Sequence, residues 1–301
     1  MAVYDGAAYL QAQLDSIAAQ SHHNWRLLAS DDGSHDDSRI ILARFAARHP
    51  STVCLDGPQQ GGTENFMSML RALPDHVAPG TWVAFCDQDD VWLPERLERG
   101  LAALRDQDPA CPALYCSRTF IADEGLGSRR LSAPRPRPLG FRNALVQNVA
   151  SGNTILLNPA AAELAVTAAR ETRRPVVHDW WLYQLIAGTG GTLVHDDVPS
   201  LLYRQHGINQ IGANDGTRAR MKRIGMLLRG SFREWNDINL AALRCSAHRL
   251  TAENRQLLER FDVMRRAHLL GRLRGMRKLA LYRQSTASTV ALWLAAVFRH
   301  L

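Results

Sequence analysis

Cysteine and lysine are scarce in this sequence. Its 301 residues include five cysteines, at positions 54, 86, 111, 116 and 245, and two lysines, Lys222 and Lys278. No two cysteines form a CxxC pair, and an odd number cannot complete a disulfide framework. The odd number of cysteines argues against a disulfide-stapled secreted domain, and the lack of a CxxC pair argues against a cysteine-based zinc or redox motif. We expect the cysteines to be reduced and mostly buried.

Long apolar runs are also missing. The longest strongly apolar stretch, Val290 to Phe298, is about half of what a bilayer-spanning helix requires. No signal peptide opens the sequence. Because 46% of the residues are hydrophobic, the chain can bury a sizeable core. We therefore expect a cytoplasmic protein with one large domain, or one domain with an appendage.

Positive charge is distributed unevenly along the chain. Residues 1–217 contain 18 Lys and Arg against 24 Asp and Glu, whereas residues 218–301 contain 18 against 5, so the net charges are −6 and +13. We place a domain boundary between residues 217 and 218. The second part is expected to be a basic helical tail that is attracted to an anionic membrane surface or an acidic partner. An arginine-rich helical bundle with a solvated face is the alternative.

Nucleic acid would also be attracted to such a tail. The chain has no zinc-finger spacing, no RNA-binding aromatic motif and no obvious recognition helix. We therefore expect no nucleic-acid partner.

The first third of the chain alternates between helix-like and strand-like segments. The pattern predicts helices in AAYLQAQLDSIAAQ, SRIILARFAARHP and TENFMSMLRAL, and strands in WRLLAS, TVCLDG and residues 82–86. This alternation is typical of an α/β fold with a mainly parallel sheet flanked by helices. Ligands of such sheets bind at the carboxyl ends of strands. Two acidic motifs, SDDGS and CDQDD, lie at such ends.

The next 120 residues continue with mixed elements. The sequence predicts a helix in PERLERGLAALRDQ, a strand in ALYCSRTFIAD, a loop in SAPRPRPLG, a strand and helix in SGNTILLNPAAAELA, a helix in VHDWWLYQLIAGTG and late strands in GTLVHDDVPSLLYRQHG. Long basic helices follow from about residue 218.

The motif AFCDQDDVW crowds three carboxylates after an apolar run. Asp87, Asp89 and Asp90 lie within four residues and repel one another. A positive group is expected among them, and Mg²⁺ or Mn²⁺ suits hard oxygen ligands and often arrives with a phosphate. The alternative is a solvated turn that caps the following helix, which has Pro94 near its start.

Five fragments in order carry a family resemblance: MAVYDGAAYLQAQLDSI, SDDGSHDDS, FCDQDDVWLPERLE, HDWW and LLYRQHGINQIGA. Together they resemble the inverting glycosyltransferases of family 2, in particular the bacterial rhamnosyltransferase-like branch that builds surface polysaccharides. The resemblance covers residues 1 to about 215. It implies the GT-A fold, a nucleotide-binding α/β sheet, and a nucleotide-diphosphate sugar as donor.

The resemblance implies a role for each matching residue. Those expected to bind the nucleotide are Tyr4, Asp31, Asp32, Gly33, Gly61, Asn65 and Asp87. The acidic pair Asp31 and Asp32 matches residues that contact the base and ribose, and Gly33 permits a tight turn there. Asp87 and Asp89 resemble the family's DxD motif. Asp89 is the expected metal ligand, and His206 resembles a histidine that in some relatives completes the coordination or touches the diphosphate.

Asp179 in HDWW resembles the catalytic base, and His178 stands where relatives have a glutamate. A carboxylate beside two tryptophans is suited to general-base work, and Trp180 and Trp181 are expected to stack on sugar faces. Asn153 in SGNT matches a segment near the donor sugar and acceptor. The alternative for the HDWW motif is that Asp179 caps its helix and the tryptophans belong to the core.

One feature departs from the family. Relatives have a hydrophobic first strand ahead of the segment AVYDG, and almost nothing precedes it here. A central strand would then be largely missing, which leaves the backbone groups of its neighbours unpaired. The expectations are either a true start further upstream or a truncated copy.

The resemblance favours an inverting, metal-dependent transferase that adds rhamnose, from dTDP-rhamnose or another nucleotide sugar such as a UDP-sugar, to a lipid-linked surface glycan or O-antigen. It would act in the cytoplasm, at the inner face of the membrane. A non-catalytic GT-A scaffold recruited by its basic tail is one alternative. A haloacid-dehalogenase-type phosphatase is another, because Asp87 to Val91 also fit the pattern DxDx[TV]. That chemistry requires a lysine followed by an acidic motif, which this chain lacks.

Overall fold

The alternating pattern of the sequence produces an α/β structure. The computed structural model describes residues 1–172, 174–207 and 231–301. The strands are β1 (Ala2–Val3), β2 (Leu27–Asp31), β3 (Thr52–Asp56), β4 (Val83–Ala84), β5 (Val91–Trp92), β6 (Ala113–Ser117), β7 (Phe120–Ala122), β8 (Arg129–Leu131), β9 (Leu156–Leu157), β10 (Thr192–Asp196) and β11 (Leu201–Arg204). The helices are α1 (Ala7–Ala18), α2 (Ser38–Arg48), α3 (Gly62–Ala72), α4 (Arg96–Leu104), α5 (Phe141–Ala144), α6 (Pro159–Glu171), α7 (His178–Gly188), α8 (Ser231–Cys245), α9 (Ala252–Arg266), α10 (Leu269–Leu279) and α11 (Thr286–Val297).

The described strands form three sheets. The order in the first is β1-β2-β3, all parallel, and Leu27 lies opposite Thr52. The second has the order β10-β6-β9-β4, in which β10 and β6 are parallel and β9 runs antiparallel to both neighbours. The third, β5-β11-β7-β8, is mixed. The expected α/β class with parallel strands and flanking helices is confirmed.

The first strand is short but paired. The amide of Ser30 donates to the carbonyl of Met1 at 2.9 Å, and the amide of Asp32 donates to the carbonyl of Val3 at 2.8 Å. The α-amino group of Met1 donates to the carbonyl of Leu28 at 2.7 Å, and burial lowers its pKa. Pairing over these residues gives β2 a partner on the side where the sequence predicted a missing strand.

Two sequence expectations about strands need correction. The segment ALYCSRTFIAD forms two strands, β6 and β7, rather than one. They belong to different sheets, because β6 pairs with β9 and β10 whereas β7 pairs with β8 and β11. The strand expected over residues 82–86 is reduced to the two residues of β4. The proline-rich segment 132–140 contains no helix or strand, as predicted.

The C-terminal helices share a hydrophobic core with the α/β part. One cluster contains side chains of α3, α6 and α7 together with Leu240, Leu257, Phe261, Met276 and Leu292 from α8 to α11. Full burial of one such side chain stabilises a fold by about 1.5–3 kcal/mol. Helices α8 to α11 are therefore built into the fold. The boundary expected between residues 217 and 218 lies outside the described residues.

Helix α7 is buried on nearly all sides. The side chains of Trp181, Tyr183 and Leu185 are fully buried although they point in different directions around the helix. Helices α5, α6 and α8 and strands β6 and β10 all contact it. This enclosure fixes the position of the residues at its amino-terminal end.

All five cysteines are free thiols, with Cys86 and Cys116 buried and Cys54 exposed. Within the described residues, no helix combines the length and the apolar character that crossing a membrane requires.

Candidate active site

The acidic turn after β2 is held by Asp31. Its Oδ1 accepts hydrogen bonds from the amides of Gly33 at 2.9 Å and Ser34 at 2.8 Å, and from Arg39 Nε at 3.1 Å. Gly33 has φ +95°, which favours glycine. Burial alone would raise the pKa of Asp31, but these hydrogen bonds outweigh it and lower the pKa. Its buried Oδ2 has no donor among the described residues, so this oxygen is available to a ligand N–H or hydroxyl.

Asp32 organises the loop that follows β3. Its Oδ1 accepts from the amide of Gln59 at 2.7 Å and its Oδ2 from the amide of Gly61 at 2.7 Å. Asn65 in α3 donates from Nδ2 to the carbonyl of Ser30 at 2.9 Å. The exposed fractions of Asp32 and Asn65 are only 5% and 1%. Both residues thus position the loop and the helix, and the direct nucleotide contact expected for them stays a prediction.

The first strand is joined to the acidic motif by Gln88. Its Oε1 accepts from the amide of Tyr4 at 2.7 Å, and its Nε2 donates to the Tyr4 carbonyl at 2.8 Å. A Cβ at Gly6 would lie 2.4 Å from Gln88 Oε1, so a larger residue here would displace the Gln88 amide from Tyr4. The Tyr4 ring is half exposed at the same edge. Sequence reasoning missed Gln88, although its place inside CDQDD was the available signal.

The three crowded aspartates have different environments. Asp89 Oδ2 lies 2.7 Å from His206 Nε2. Asp90 is fully buried, and its Oδ2 accepts from Asn153 Nδ2 at 2.5 Å while its Oδ1 accepts from the amide of Arg204 at 3.4 Å. Asp90 therefore ties the end of β11 to the SGNT segment. Asp87 and Asp89 are partly exposed and remain as the pair that can face a ligand.

Negative charge accumulates around Asp87. Burial raises its pKa to about 7, with further contributions from the charges of Asp89 and Asp179. The pKa of Asp90 is also raised, first by burial and then by Asp87 and Asp89. The buried Arg96 nearby donates to two carbonyls, those of Phe85 at 3.2 Å and Asn153 at 2.5 Å. Carboxylate repulsion is thus built into this cluster, as the motif predicted.

A divalent cation fits this arrangement. Asp89 and His206 offer an oxygen and a nitrogen ligand side by side, next to a carboxylate whose ionisation a cation would favour. In the part of the chain that the structure describes, no three His, Cys, Asp or Glu side chains form a metal-binding group. Mg²⁺ commonly uses one or two protein carboxylates and completes its shell with water and phosphate oxygens. The two side chains would therefore hold a metal together with the donor.

Three further residues support His206. The Tyr9 ring lies 4.7 Å from the His206 ring, centroid to centroid, and its hydroxyl donates to Glu124. The Arg204 guanidinium lies 4.8 Å from the centre of the Tyr9 ring, and its Nε donates to the Asp89 carbonyl at 2.9 Å. Sequence reasoning missed these supporting residues. The rest of the late motif, residues 208–213, lies outside the described residues.

Asp179 stands in the first turn of α7. Its Oδ2 accepts from the amide of Gly152 at 3.0 Å. Burial raises the pKa of Asp179 to about 6, although hydrogen bonds from the Trp180 and Gly152 amides oppose this. The next residue, Asn153, binds Asp90, so the SGNT segment joins Asp179 to the carboxylates of CDQDD, and the charge of Asp179 helps to raise the pKa of Asp87.

His178, beside Asp179, faces the core. Its ring lies 3.9 Å from the Phe66 ring, and burial lowers its pKa to about 3, so it is neutral. A Cβ at Gly152 would lie 2.9 Å from His178 Nε2. The histidine that replaces the expected glutamate therefore packs between Phe66 and the SGNT segment.

Three predicted sugar contacts are wrong for this structure. Trp180 and Trp181 have exposed fractions of 4% and 0%, and Trp180 Nε1 donates to the carbonyl of Ala144 at 2.7 Å. Rings enclosed in this way cannot stack on a sugar. Asn153 is 1% exposed and forms hydrogen bonds with Asp90 and Ser151 Oγ, so it holds these two residues in position.

Residues 1–163 match the sequence model of Glycosyl transferase family 2, which is more than half of the chain. The protein belongs to glycosyltransferase family 2. The dTDP-rhamnosyl transferase RfbG of Shigella flexneri is 25% identical to this glycosyltransferase over 241 residues, which span 78% of this chain and 81% of the relative. The family resemblance in the sequence is confirmed, and the phosphatase alternative is set aside.

Solved structures agree on the fold of this glycosyltransferase. TarS residues 1–349 of S. aureus in complex with UDP-GlcNAc match with a TM-score of 0.56 and 12% identity, covering 99% of this chain and 87% of that one. The mannosyltransferase PcManGT of Pyrobaculum calidifontis, in complex with GDP-Man and Mn²⁺, matches with a TM-score of 0.50 and 16% identity, covering 99% and 84%. The expected GT-A fold is confirmed.

Proposed function

We propose that this glycosyltransferase is inverting and metal-dependent, and that it transfers rhamnose from a nucleotide-diphosphate donor to a growing surface polysaccharide of the O-antigen type. One observation carries the proposal. The adjacent residues Gly152 and Asn153 donate hydrogen bonds to Asp179 and Asp90, which holds Asp179 beside the carboxylates of CDQDD. Sugar transfer needs a general base and a diphosphate-binding group, and Asp179 and the carboxylates of CDQDD would supply them side by side.

Asp179 acts as the base. Its carboxylate takes the proton of the acceptor hydroxyl, whose oxygen bonds to the anomeric carbon as the bond to the donor phosphate oxygen breaks. With a pKa of about 6, the group is about nine-tenths ionised at pH 7 and binds a proton more tightly than an ordinary aspartate. Attack from the face opposite the diphosphate inverts the anomeric configuration.

Asp89 and His206 would hold the divalent cation, with Asp87 beside them. A bound Mg²⁺ or Mn²⁺ supplies Lewis-acid stabilisation of the negative charge that builds on the leaving diphosphate. Support comes from the carboxylate repulsion at this position and from the mannosyltransferase PcManGT, whose structure is a complex with GDP-Man and Mn²⁺.

The donor side is formed by the carboxyl ends of β1 and β2. Asp31 offers its buried Oδ2 to a base N–H, and Tyr4 offers an exposed ring for stacking. The RfbG relative favours dTDP-rhamnose, whereas the S. aureus neighbour makes a UDP-sugar the competing donor.

A transfer assay tests the proposal. Purified protein is incubated with dTDP-rhamnose, UDP-GlcNAc or GDP-mannose and an array of surface-glycan oligosaccharides, with Mn²⁺ or with EDTA. We expect transfer from dTDP-rhamnose in the presence of Mn²⁺ and no transfer in EDTA. NMR should show that the anomeric configuration of the product is inverted. The Asp179→Asn variant should bind the donor but not transfer the sugar. Asp106→Asn, which removes an exposed carboxylate from the segment after α4, is the matched control. Donor binding without transfer by the wild type would instead indicate the non-catalytic scaffold.

We further propose that the basic C-terminal helices hold the enzyme at the inner face of the membrane, where a lipid-linked acceptor would lie. Arg274, Arg277 and Lys278 are exposed on one face of α10. Each basic residue near an anionic surface contributes about 1 kcal/mol. Deleting α8 to α11 would disrupt the shared core, so charge substitution is the cleaner test.

The test is flotation with vesicles that contain phosphatidylglycerol. Serine at these three α10 positions should reduce the bound fraction strongly. The matched control carries serine at three exposed arginines of the α/β part, Arg44, Arg48 and Arg105. Equal flotation of the two triple variants would contradict the membrane role.

A further inference from the structure

A cavity beside α8 is lined by residues that are all distinct from those of the candidate active site. Its volume is about 450 Å³, and α8, α9 and the residues after α11 line it. Phe232 and Trp235 of α8 face the Trp180 ring of α7. Arg233 and Arg244, on another side of α8, face the cavity. The cavity is thus separate from the carboxylate cluster, and its size is typical of a small-molecule site.

Positive charge dominates this cavity. Five arginines line it, namely Arg233, Arg244, Arg265, Arg266 and Arg299, against two acidic side chains, Asp237 and Asp262; the terminal residue Leu301, with its α-carboxylate, also lines it. The lining therefore has three more positive than negative side chains. We call it the arginine cavity.

The two acidic side chains are already engaged. Asp262 accepts from Arg244 at 2.5 Å and from Arg266 at 3.1 Å, and Asp237 lies 2.9 Å from Arg265 Nη1. Arg233 and Arg299 are different. Neither side chain forms an ion pair or a hydrogen bond with any residue in the described ranges.

Arg265 supplies a buried guanidinium in the wall. Its side chain is 3% exposed, its Nη2 donates to the carbonyl of Arg233 at 2.9 Å, and its Nε has no acceptor among the described residues. Burial, together with the positive charge of Arg233, lowers the pKa of Arg265 despite the nearby Asp237. An anion in the cavity would offset this unfavourable charge.

We propose that the arginine cavity is a second anion site, which binds a phosphate or diphosphate group. Planar guanidinium groups donate paired hydrogen bonds that match phosphate oxygens, and several of them converge here. The site does not depend on the transfer chemistry, since none of its residues belongs to the candidate active site.

The phosphate can come from a soluble molecule or from a lipid headgroup. Val290, Leu294 and Phe298 of the α11 segment recur every four residues, and their exposed fractions are 54%, 50% and 60%. Such a stripe, one residue before Arg299 of the cavity, is the kind of surface that a bilayer covers. The test therefore has two arms, one for a soluble phosphate and one for a lipid headgroup.

The soluble arm is calorimetry with sodium pyrophosphate in EDTA, so that a metal-dependent donor site does not contribute. The lipid arm is flotation with vesicles of phosphatidylcholine, with or without phosphatidylglycerol. The test variant is Arg233→Gln with Arg299→Gln. The control, Arg44→Gln with Arg260→Gln, removes two exposed arginines outside the cavity and leaves the same net charge.

We expect the test variant to bind at least about tenfold more weakly than the wild type in one arm, because each charged hydrogen bond that is lost weakens binding about tenfold. The control should change by less than about twofold. Loss in the pyrophosphate arm identifies a soluble phosphate, and loss in the vesicle arm alone identifies a headgroup. Equal behaviour of the two variants, or no binding by the wild type in either arm, would overturn the proposal. Thermal melting confirms that both variants are folded.

Discussion

Replacing Asp179 by asparagine should remove activity and stabilise the protein. The variant keeps the shape of the side chain but cannot take a proton, so kcat should fall about a hundredfold to ten-thousandfold. Burial raises the pKa of Asp179 from 3.8 to about 6. At about 1.4 kcal/mol for each tenfold change in proton affinity, ionisation costs the fold about 3 kcal/mol, and partial solvent exposure reduces this to about 2 kcal/mol.

The sign of the pH dependence follows from the raised pKa. Folded protein binds the Asp179 proton more tightly than unfolded protein, so wild type loses this contribution to stability as the pH rises from about 4 through about 6. The asparagine variant has no such proton. The free energy of unfolding of the variant should equal that of the wild type near pH 4 and exceed it by about 2 kcal/mol above pH 7. The cost of one lost hydrogen bond is subtracted from this difference at every pH.

Two assays check this prediction. Urea unfolding at several pH values gives the difference in free energy of unfolding between the two proteins. The pH profile of kcat/KM for the wild type should fall tenfold per pH unit below about 6. A stability difference that is independent of pH, or a variant with more than a tenth of the wild-type kcat, would refute the assignment of Asp179 as a buried base.

Three substitutions test the surroundings of the site. Gly152→Ala places a Cβ 2.9 Å from His178 Nε2, so it should cost about 1–3 kcal/mol and lower kcat by shifting the amide that binds Asp179. Asn153→Leu removes the side-chain amide that donates to the buried Asp90 carboxylate, which keeps only the long contact from the Arg204 amide, and should cost about 3 kcal/mol in urea unfolding. Phe261→Ala should cost about 3–5 kcal/mol and lower the Tm of the whole protein in a single transition, because α9 shares its core.

Each of these has a control. Gly125→Ala, in an exposed turn with room for a Cβ, should leave stability and kcat unchanged. Adding Asp90→Asn to the Asn153→Leu variant should restore part of the lost free energy of unfolding, because the buried carboxylate of Asp90 is then replaced by a neutral amide. Val263→Ala removes a 70% exposed side chain of α9 and should change stability by less than about 0.5 kcal/mol. A separate melting transition for the C-terminal helices in Phe261→Ala would contradict the shared core.

Much of the site geometry follows from motif order. Asp89 and His206 are 117 residues apart, yet the family resemblance predicted that they meet, and their side chains lie 2.7 Å apart. The helix that begins near Asp179 was also predicted, because its polar start and long apolar run are local features. The alternation of helices and strands was enough to predict that SDDGS and CDQDD lie at the carboxyl ends of strands.

The roles of neighbouring residues could not be predicted in this way. Trp180 and Trp181 follow Asp179 directly, but successive helix residues point about 100° apart, and α7 is enclosed by elements distant in sequence. Asn153 and Asp90 pair across 63 residues with no local signal. The split of ALYCSRTFIAD between two sheets likewise depends on partners elsewhere, since strand propensity gives no information about pairing.

The central claim is that the carboxylates of CDQDD bind a diphosphate through a metal. Calorimetric titration of dTDP and UDP into the purified protein, with Mn²⁺ or with EDTA, tests it most directly when wild type and Asp89→Ala are compared. We predict binding that requires Mn²⁺ and is lost in Asp89→Ala, with the tighter nucleotide identifying the base of the donor. Equal affinity with Mn²⁺ and with EDTA, or in the wild type and the variant, would contradict the claim.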